Sequence, residues 1–234
     1  MFELRSLGHS TAAATIVTLS LFASDLRFHA TAVPDSGTVR LTWSAPGCSS
    51  AYVTGAGVRA ADSEAVIHAS LDGEYTLVAD CGGAVRTSSA KARYRGARGM
   101  FEEWPTLADF HAANEQRRTV QNASRFAEKL HDVLQGALGF SVYEHLLPDG
   151  RLRFLTNPRE LPSGRQTSET NIRNRRTAFL VDVTFPRRVP GTALIAISTA
   201  IQTRRKLEST WRPESSDDIF REHEHRLVAL LPAE

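Results

Sequence analysis

The sequence predicts two modules in tandem, an all-β sandwich over residues 1–98 and an α+β module over residues 99–234. Three observations predict it. Short β-type runs separated by turn clusters fill the first hundred residues. A helical apolar stripe follows, and beyond Gly139 the period returns to two. Between the halves stands Tyr94-Arg95-Gly96-Ala97-Arg98-Gly99, a basic stretch with two glycines that suits a linker. With 234 residues, 41% hydrophobic and 23% charged, the chain falls outside the disordered, collagen-like and disulfide-dense classes and can build more than one core.

Seven runs make up the first module: Ile16–Leu21, Leu26–Val33, Thr38–Ser44, Ser50–Gly55, Ala65–Ser70, Glu74–Asp80 and Val85–Tyr94. Each is closed by a turn signal such as Pro34-Asp35-Ser36-Gly37, Asp72-Gly73 or Cys81-Gly82-Gly83, and each is short enough to bury one face against an opposite sheet. Arg5 followed by Thr11–Ala23 imitates a secretory signal. Glu3 offsets that charge and Thr and Ser interrupt the apolar stretch, so Ile16–Leu21 reads as the first strand.

In Val39-Arg40-Leu41-Thr42-Trp43, period two puts Val39, Leu41 and Trp43 on one face, with Pro46 shortly after. Tyr75 opens a strand directly after the Asp72-Gly73 turn, where its hydroxyl can bond back to the turn backbone as a tyrosine corner does. With these residues the segment 15–98 resembles the fibronectin type III and bacterial immunoglobulin-like domains. The resemblance implies a Greek-key sandwich that serves as a spacer or binding module, and assigns no activity. In that topology the loop Ala45–Ser50 and the turn Asp80–Ala84 fall at the same end, which brings Cys48 and Cys81 together. They either close a disulfide, contributing on the order of 3 kcal/mol for a loop of about 30 residues, or stand as reduced thiols.

In the second module Thr106 and Asp109 have capping-box spacing ahead of Leu107 and Phe110. Val120, Ala123, Phe126, Ala127, Leu130, Val133, Leu134 and Ala137 then continue a helical stripe that Gly139 stops. The polar stretch Asn114–Arg118 interrupts it, as a junction of two helices or as the waist of one. Phe140–Leu147 and Arg151–Thr156 flank Pro148-Asp149-Gly150 as a hairpin, while Thr177–Phe185 and Ala193–Gln202 are the strongest strands. The run Leu227–Leu231 reads as a closing strand or a short helix. This order predicts helices on one face of a mostly antiparallel sheet.

Charge is uneven although the total is +2. Residues 151–212 carry thirteen basic against four acidic side chains. Arg173, Arg175 and Arg176 end a polar stretch, Pro162–Asn174, expected to be free of strand, and with Arg204, Arg205 and Lys206 they form the candidate binding surface. Guanidinium groups there suit an acidic protein surface, or alternatively phosphate or nucleic acid, although no aromatics interleave with them. In Glu222-His223-Glu224-His225 a strand would put both imidazoles on one face, so His223 and His225 are the weak candidate metal pair of a hydrolase reading. No phosphate-binding glycine loop and no GxSxG elbow occurs, and no catalytic constellation is found.

Taken together, the sequence points to a non-enzymatic interaction or adaptor protein with a protein partner and no cofactor. The alternatives are a phosphate- or nucleic-acid-binding protein and, third, a hydrolase with a histidine metal site. No run is long and apolar enough to span a bilayer as a helix. The expected compartment is the cytoplasm, or a secreted or periplasmic one if Cys48 and Cys81 bond.

Overall fold

The computed structural model describes residues 26–34, 36–70, 72–92, 105–160, 172–205, 208–214 and 217–231. The described residues are mostly β, arranged in antiparallel sheets with two α-helices. Ile16–Leu21 and the Gly96–Gly99 linker lie outside the described residues.

The strands β1 (Arg27–Val33), β2 (Thr38–Ser44) and β5 (Asp62–His68) form one sheet in the order β1-β2-β5. A second sheet has the order β4-β3-β6-β7, from β3 (Ser50–Val53), β4 (Gly57–Arg59), β6 (Glu74–Asp80) and β7 (Val85–Lys91). Strand β4 has no counterpart among the expected runs, because three residues beginning at Gly57 are too short to show a period. The inner faces meet in one apolar cluster that includes Val39, Leu41, Trp43, Val53, Tyr75, Leu77 and Ala79. The Trp43 indole N–H donates to Ala60 O at 3.0 Å, and Tyr75 Oη accepts from the backbone N–H of Ser70 at 3.0 Å, the expected corner bond.

Strand β6 is buried on both faces from Tyr75 to Asp80. Tyr75, Leu77 and Ala79 point inward, while Thr76, Val78 and Asp80 point out of the sandwich, where another layer covers them. That layer is α1 (Ala123–Asp132), continued by a π-helical turn over Val133–Ala137. Its apolar face carries Ala123, Phe126, Ala127 and Leu130, and Gly139 ends the run at φ +73°, a conformation that favours glycine.

Behind α1 stands a larger antiparallel sheet, β13-β12-β11-β10-β9, with β8 also paired to β12. Its strands are β8 (Asn114–Thr119), β9 (Val142–Leu146), β10 (Leu152–Thr156), β11 (Ile172–Thr184), β12 (Thr192–Arg205) and β13 (Arg212–Pro213). The expected hairpin is β9–β10 and the expected strong pair is β11–β12. Helix α2 (Asp217–Leu230) packs on β12. One apolar cluster joins α1, β10, β11, β12 and α2, and it takes in Tyr52 from β3 and Val78 from β6. Burying each large side chain in it contributes about 1.5–3 kcal/mol.

Three expectations are corrected here. Residues 107–109 form a single 3-10 turn: the Thr106–Asp109 capping box is present, but no helix follows. Asn114–Arg118 is no helical waist; it lies in β8, whose register sets Gln116 opposite Ile195 and Arg118 opposite Ala193, a pairing no local apolar period announces. Ile172–Asn174, expected to be free of strand, begins β11, and its ladder partners on β12 are Arg205 and Arg204.

Candidate interaction site

The surface where the sandwich meets α1 and the large sheet is fixed by polar bonds. Glu144 on β9 has its side chain fully buried and accepts from four donors on other elements. The hydroxyl of Tyr52 and Nδ1 of His131 (2.7 Å) reach Oε1, and the hydroxyls of Thr54 (2.7 Å) and Thr76 (2.8 Å) reach Oε2. Burial opposes the charge on Glu144, but the bond and charge of His131, with the Tyr52 and Thr54 hydroxyls, outweigh it and hold the carboxyl below its ordinary range. Burial also works against a charged His131. The Glu144 bond and charge prevail, helped by Gln135, whose Oε1 sits 2.7 Å from Nε2, and the imidazole is raised above its ordinary value. Burial and then Glu144 push the Tyr52 phenol well up, so it stays a donor.

Further bonds cross the same surface. Asp80 Oδ2 accepts from the N–H of Ala123 at 3.1 Å, at the first turn of α1. Ser50 and Ser124 share a hydroxyl bond of 2.6 Å. Glu128 on α1 accepts from Val58 N at 2.7 Å, and the approach runs past Gly57, where φ is +71° and a Cβ would lie 2.7 Å from the same carboxylate oxygen. At the edge, His145 Nδ1 lies 2.9 Å from Glu74 Oε2.

With the junction fixed, two turns from different sheets face each other beside it. The β6–β7 turn is tied down by the Cys48–Cys81 disulfide, and Asp80 Oδ1 accepts from Gly82 N at 3.1 Å. The β11–β12 loop runs from Pro186 to Gly191, and a Cβ on Gly83 would lie 3.7 Å from Pro190. Between them is a cleft of about 530 Å³ whose lining includes the apolar Val85, Phe185 and Val189 and the charged Arg86 and Arg187, one arginine from each turn. Arg86 Nη1 also donates to Pro46 O at 3.4 Å, across the disulfide loop. A volume of this size lies within the common range for ligand sites.

The arginines singled out in the sequence are placed elsewhere. Arg175 donates to Glu214 at 3.1 Å and 3.2 Å, and Arg176 and Arg204 lie over the Trp211 ring, 4.2 Å and 4.9 Å from its centroid. Arg173 and Arg205 lie in β11 and β12 respectively, and their side chains, like all of Lys206, lie outside the described residues. The expectation that no aromatic accompanies these arginines is corrected by Trp211, which follows β12 in sequence and reaches back over it.

The metal pair is also corrected. His223 and His225 lie on α2, where two residues turn through about 200°, so His223 is buried and His225 exposed. No group of three or more His, Cys, Asp or Glu fit to hold a metal occurs among the described residues. On α2 the buried face runs Phe220, His223, Glu224, Leu227. Among the described residues neither ring nitrogen of His223 has a hydrogen-bond partner. Burial lowers its pKa against the pull of Glu222, with Arg226 and Arg175 adding to the shift. Burial raises the Glu224 carboxyl, opposed by His111, whose Nδ1 is 3.7 Å away and whose ring stacks on Phe220.

Sequence reasoning missed Tyr52, Thr54, Thr76, His131 and Glu144 as one buried cluster. One signal was available: Tyr75–Ala79 and Ala51–Val53 run with little polar alternation, as strands covered on both faces do. No helix among the described residues is long and apolar enough to cross a membrane. No family model and no curated protein matches the chain.

Proposed function

We propose that this chain is a non-enzymatic binding protein in which an immunoglobulin-like or fibronectin type III-like sandwich (residues 1–98) and an α+β module (residues 99–234) jointly hold a protein partner. The sandwich reading is supported by the three-on-four strand arrangement, the buried Trp43 and the Tyr75 corner. The bonded cysteine pair supports the secreted or periplasmic branch over the cytoplasmic one.

The observation that carries the binding reading is the cleft between the β6–β7 turn and the β11–β12 loop, because it takes both halves to make it. Its walls are held by a disulfide on one side and by the bond from Ala123 N to Asp80 beside it, so a partner meets a preformed seat and loses less entropy in ordering it. The nucleic-acid alternative receives less support, since Arg175, Arg176 and Arg204 are engaged by Glu214 and Trp211. The hydrolase alternative loses its paired imidazoles.

The test compares the chain with an Ala84→Trp variant that fills the cleft from an exposed position. Both are used as bait in an extract of the source cells, with captured proteins quantified by mass spectrometry. The expected outcome is a partner retained by the unmodified chain and lost by the variant, at unchanged thermal stability. Identical captured sets would remove the cleft as the seat.

A further inference from the structure

The wall of this cleft also constrains the chemistry of what fills it, and the inference below rests on the binding reading above. Arg86 and Arg187 are the charged side chains among its described lining residues, and no carboxylate is among them. Asp80 lines only a smaller adjoining hollow of about 40 Å³, and its two oxygens accept backbone N–H groups of Gly82 and Ala123. The charge carried by the described lining residues is therefore positive, which favours an acidic occupant.

Apolar surface makes up the rest. Val189 is 46% exposed, unusually open for a large hydrophobic residue, and it faces the same space as Val85, Phe185, Pro186 and Pro190. A bare phosphate would leave this wall unused. A nucleic-acid strand needs stacking rings in sequence, and the one aromatic here, Phe185, is edge-on to Phe126 with centroids 6.3 Å apart, turned toward the core.

A peptide that alternates acidic and apolar side chains matches both features. Each of the facing turns supplies both kinds of surface, Arg86 beside Val85 on one and Arg187 between Phe185 and Val189 on the other, so an extended chain carrying acidic and apolar side chains finds a partner for each. Arg86 is held by its bond to Pro46 O, which restricts its rotamers before any ligand arrives. We propose that the cleft binds an extended acidic segment of a protein partner, with carboxylates on Arg86 and Arg187 and apolar side chains between Phe185 and Val189.

The experiment uses the full chain with its disulfide intact and two fluorescein-labelled peptides, one alternating Asp and Leu, the other Lys and Leu, followed by anisotropy. The Asp–Leu peptide is expected to bind, the Lys–Leu peptide to fail, and added salt to weaken the complex. Arg187→Glu should weaken binding by about tenfold or more, since it removes a charge-assisted bond and adds repulsion. Val189→Ser should weaken it by roughly fivefold through lost apolar contact. Arg59→Glu, an exposed change outside the lining, should leave it unaltered.

Equal binding of the two peptides, no binding of the acidic one, or an Arg187→Glu variant that binds like the parent would each overturn the inference. If peptides fail while Ala84→Trp still abolishes partner capture, the acidic occupant is wrong and the binding reading stands. If Ala84→Trp changes neither capture nor peptide binding, the binding reading fails with it.

Discussion

Two buried polar clusters hold the elements of the large sheet in place, and they are built on opposite principles. At the junction with the sandwich, Glu144 has every oxygen engaged by donors from β3, β6 and α1. Under α2, His223 is 2% exposed and has no hydrogen-bond partner among the described residues, while Glu224 faces His111 at 3.7 Å and its Oε1 is likewise without a hydrogen bond among them. A buried charge with a full set of donors fixes geometry, whereas a buried polar group without them opposes burial of the element that carries it. The junction is thus the rigid part of the molecule and the α2 seat its weaker one.

The sharpest way to break this comparison is to remove the two carboxylates in parallel. Glu144→Ala leaves the His131 imidazole and three hydroxyls without their shared acceptor in the interior and should destabilise the fold by about 3–5 kcal/mol in urea unfolding. Glu224→Ala should cost about 1 kcal/mol or less, because little depends on that carboxylate. Equal losses would mean that the α2 cluster is as tightly built as the clasp.

A smaller effect is expected at His223. Replacing an unpartnered buried imidazole by leucine removes a desolvated polar group without opening a cavity, so His223→Leu should raise stability by about 1 kcal/mol in the same measurement. A loss instead would show that the imidazole has a partner worth keeping.

The pH dependence refines the comparison further. His131 is raised in the folded chain, so its contribution is fully present below its ordinary value of 6.5 and is lost as pH rises through the folded value. Glu144 is lowered, so its contribution is present above its ordinary 4.5 and is lost as pH falls through the folded value. The clasp is therefore complete between about 4.5 and 6.5. His223 acts in the other direction: it is lowered, so the unfolded chain takes up a proton that the folded chain refuses, and stability declines as pH falls below 6.5. Thermal unfolding across pH should show the alkaline decline flattened by His131→Gln and the acid decline flattened by His223→Leu. An alkaline limb unchanged in His131→Gln would dissociate that imidazole from the clasp.

Much of the sandwich was legible because its evidence is local. Trp43 and Tyr75 sit at fixed offsets from turns, and the loops that bring Cys48 and Cys81 together follow from strand order. The β9–β10 hairpin was marked by Pro148-Asp149-Gly150 in the same way. Strand β8 was not legible, since a polar edge strand has no apolar period and takes its structure from β12. Helix α2 was misread where it carries the histidines, because alternation in Glu222-His223-Glu224-His225 mimics a strand over four residues while the helical face Phe220, His223, Glu224, Leu227 shows only over eight.

The sequence by itself determined most of the strands in the first two sheets, the Tyr75 corner, the meeting of Cys48 and Cys81, and the apolar stripe of α1, since propensity, period and turn chemistry act over a few residues. Only the tertiary structure decided that Glu144 is a buried hub, that the arginines of β11 and β12 turn to Trp211 and Glu214, and that two remote turns frame a cleft. Those facts depend on which face of β6 the helix covers and on residues such as Tyr52 and Glu144, 92 positions apart, meeting as hydrogen-bond partners. Burial and charge pairing at such range are properties of the assembled layers, and no local pattern encodes them.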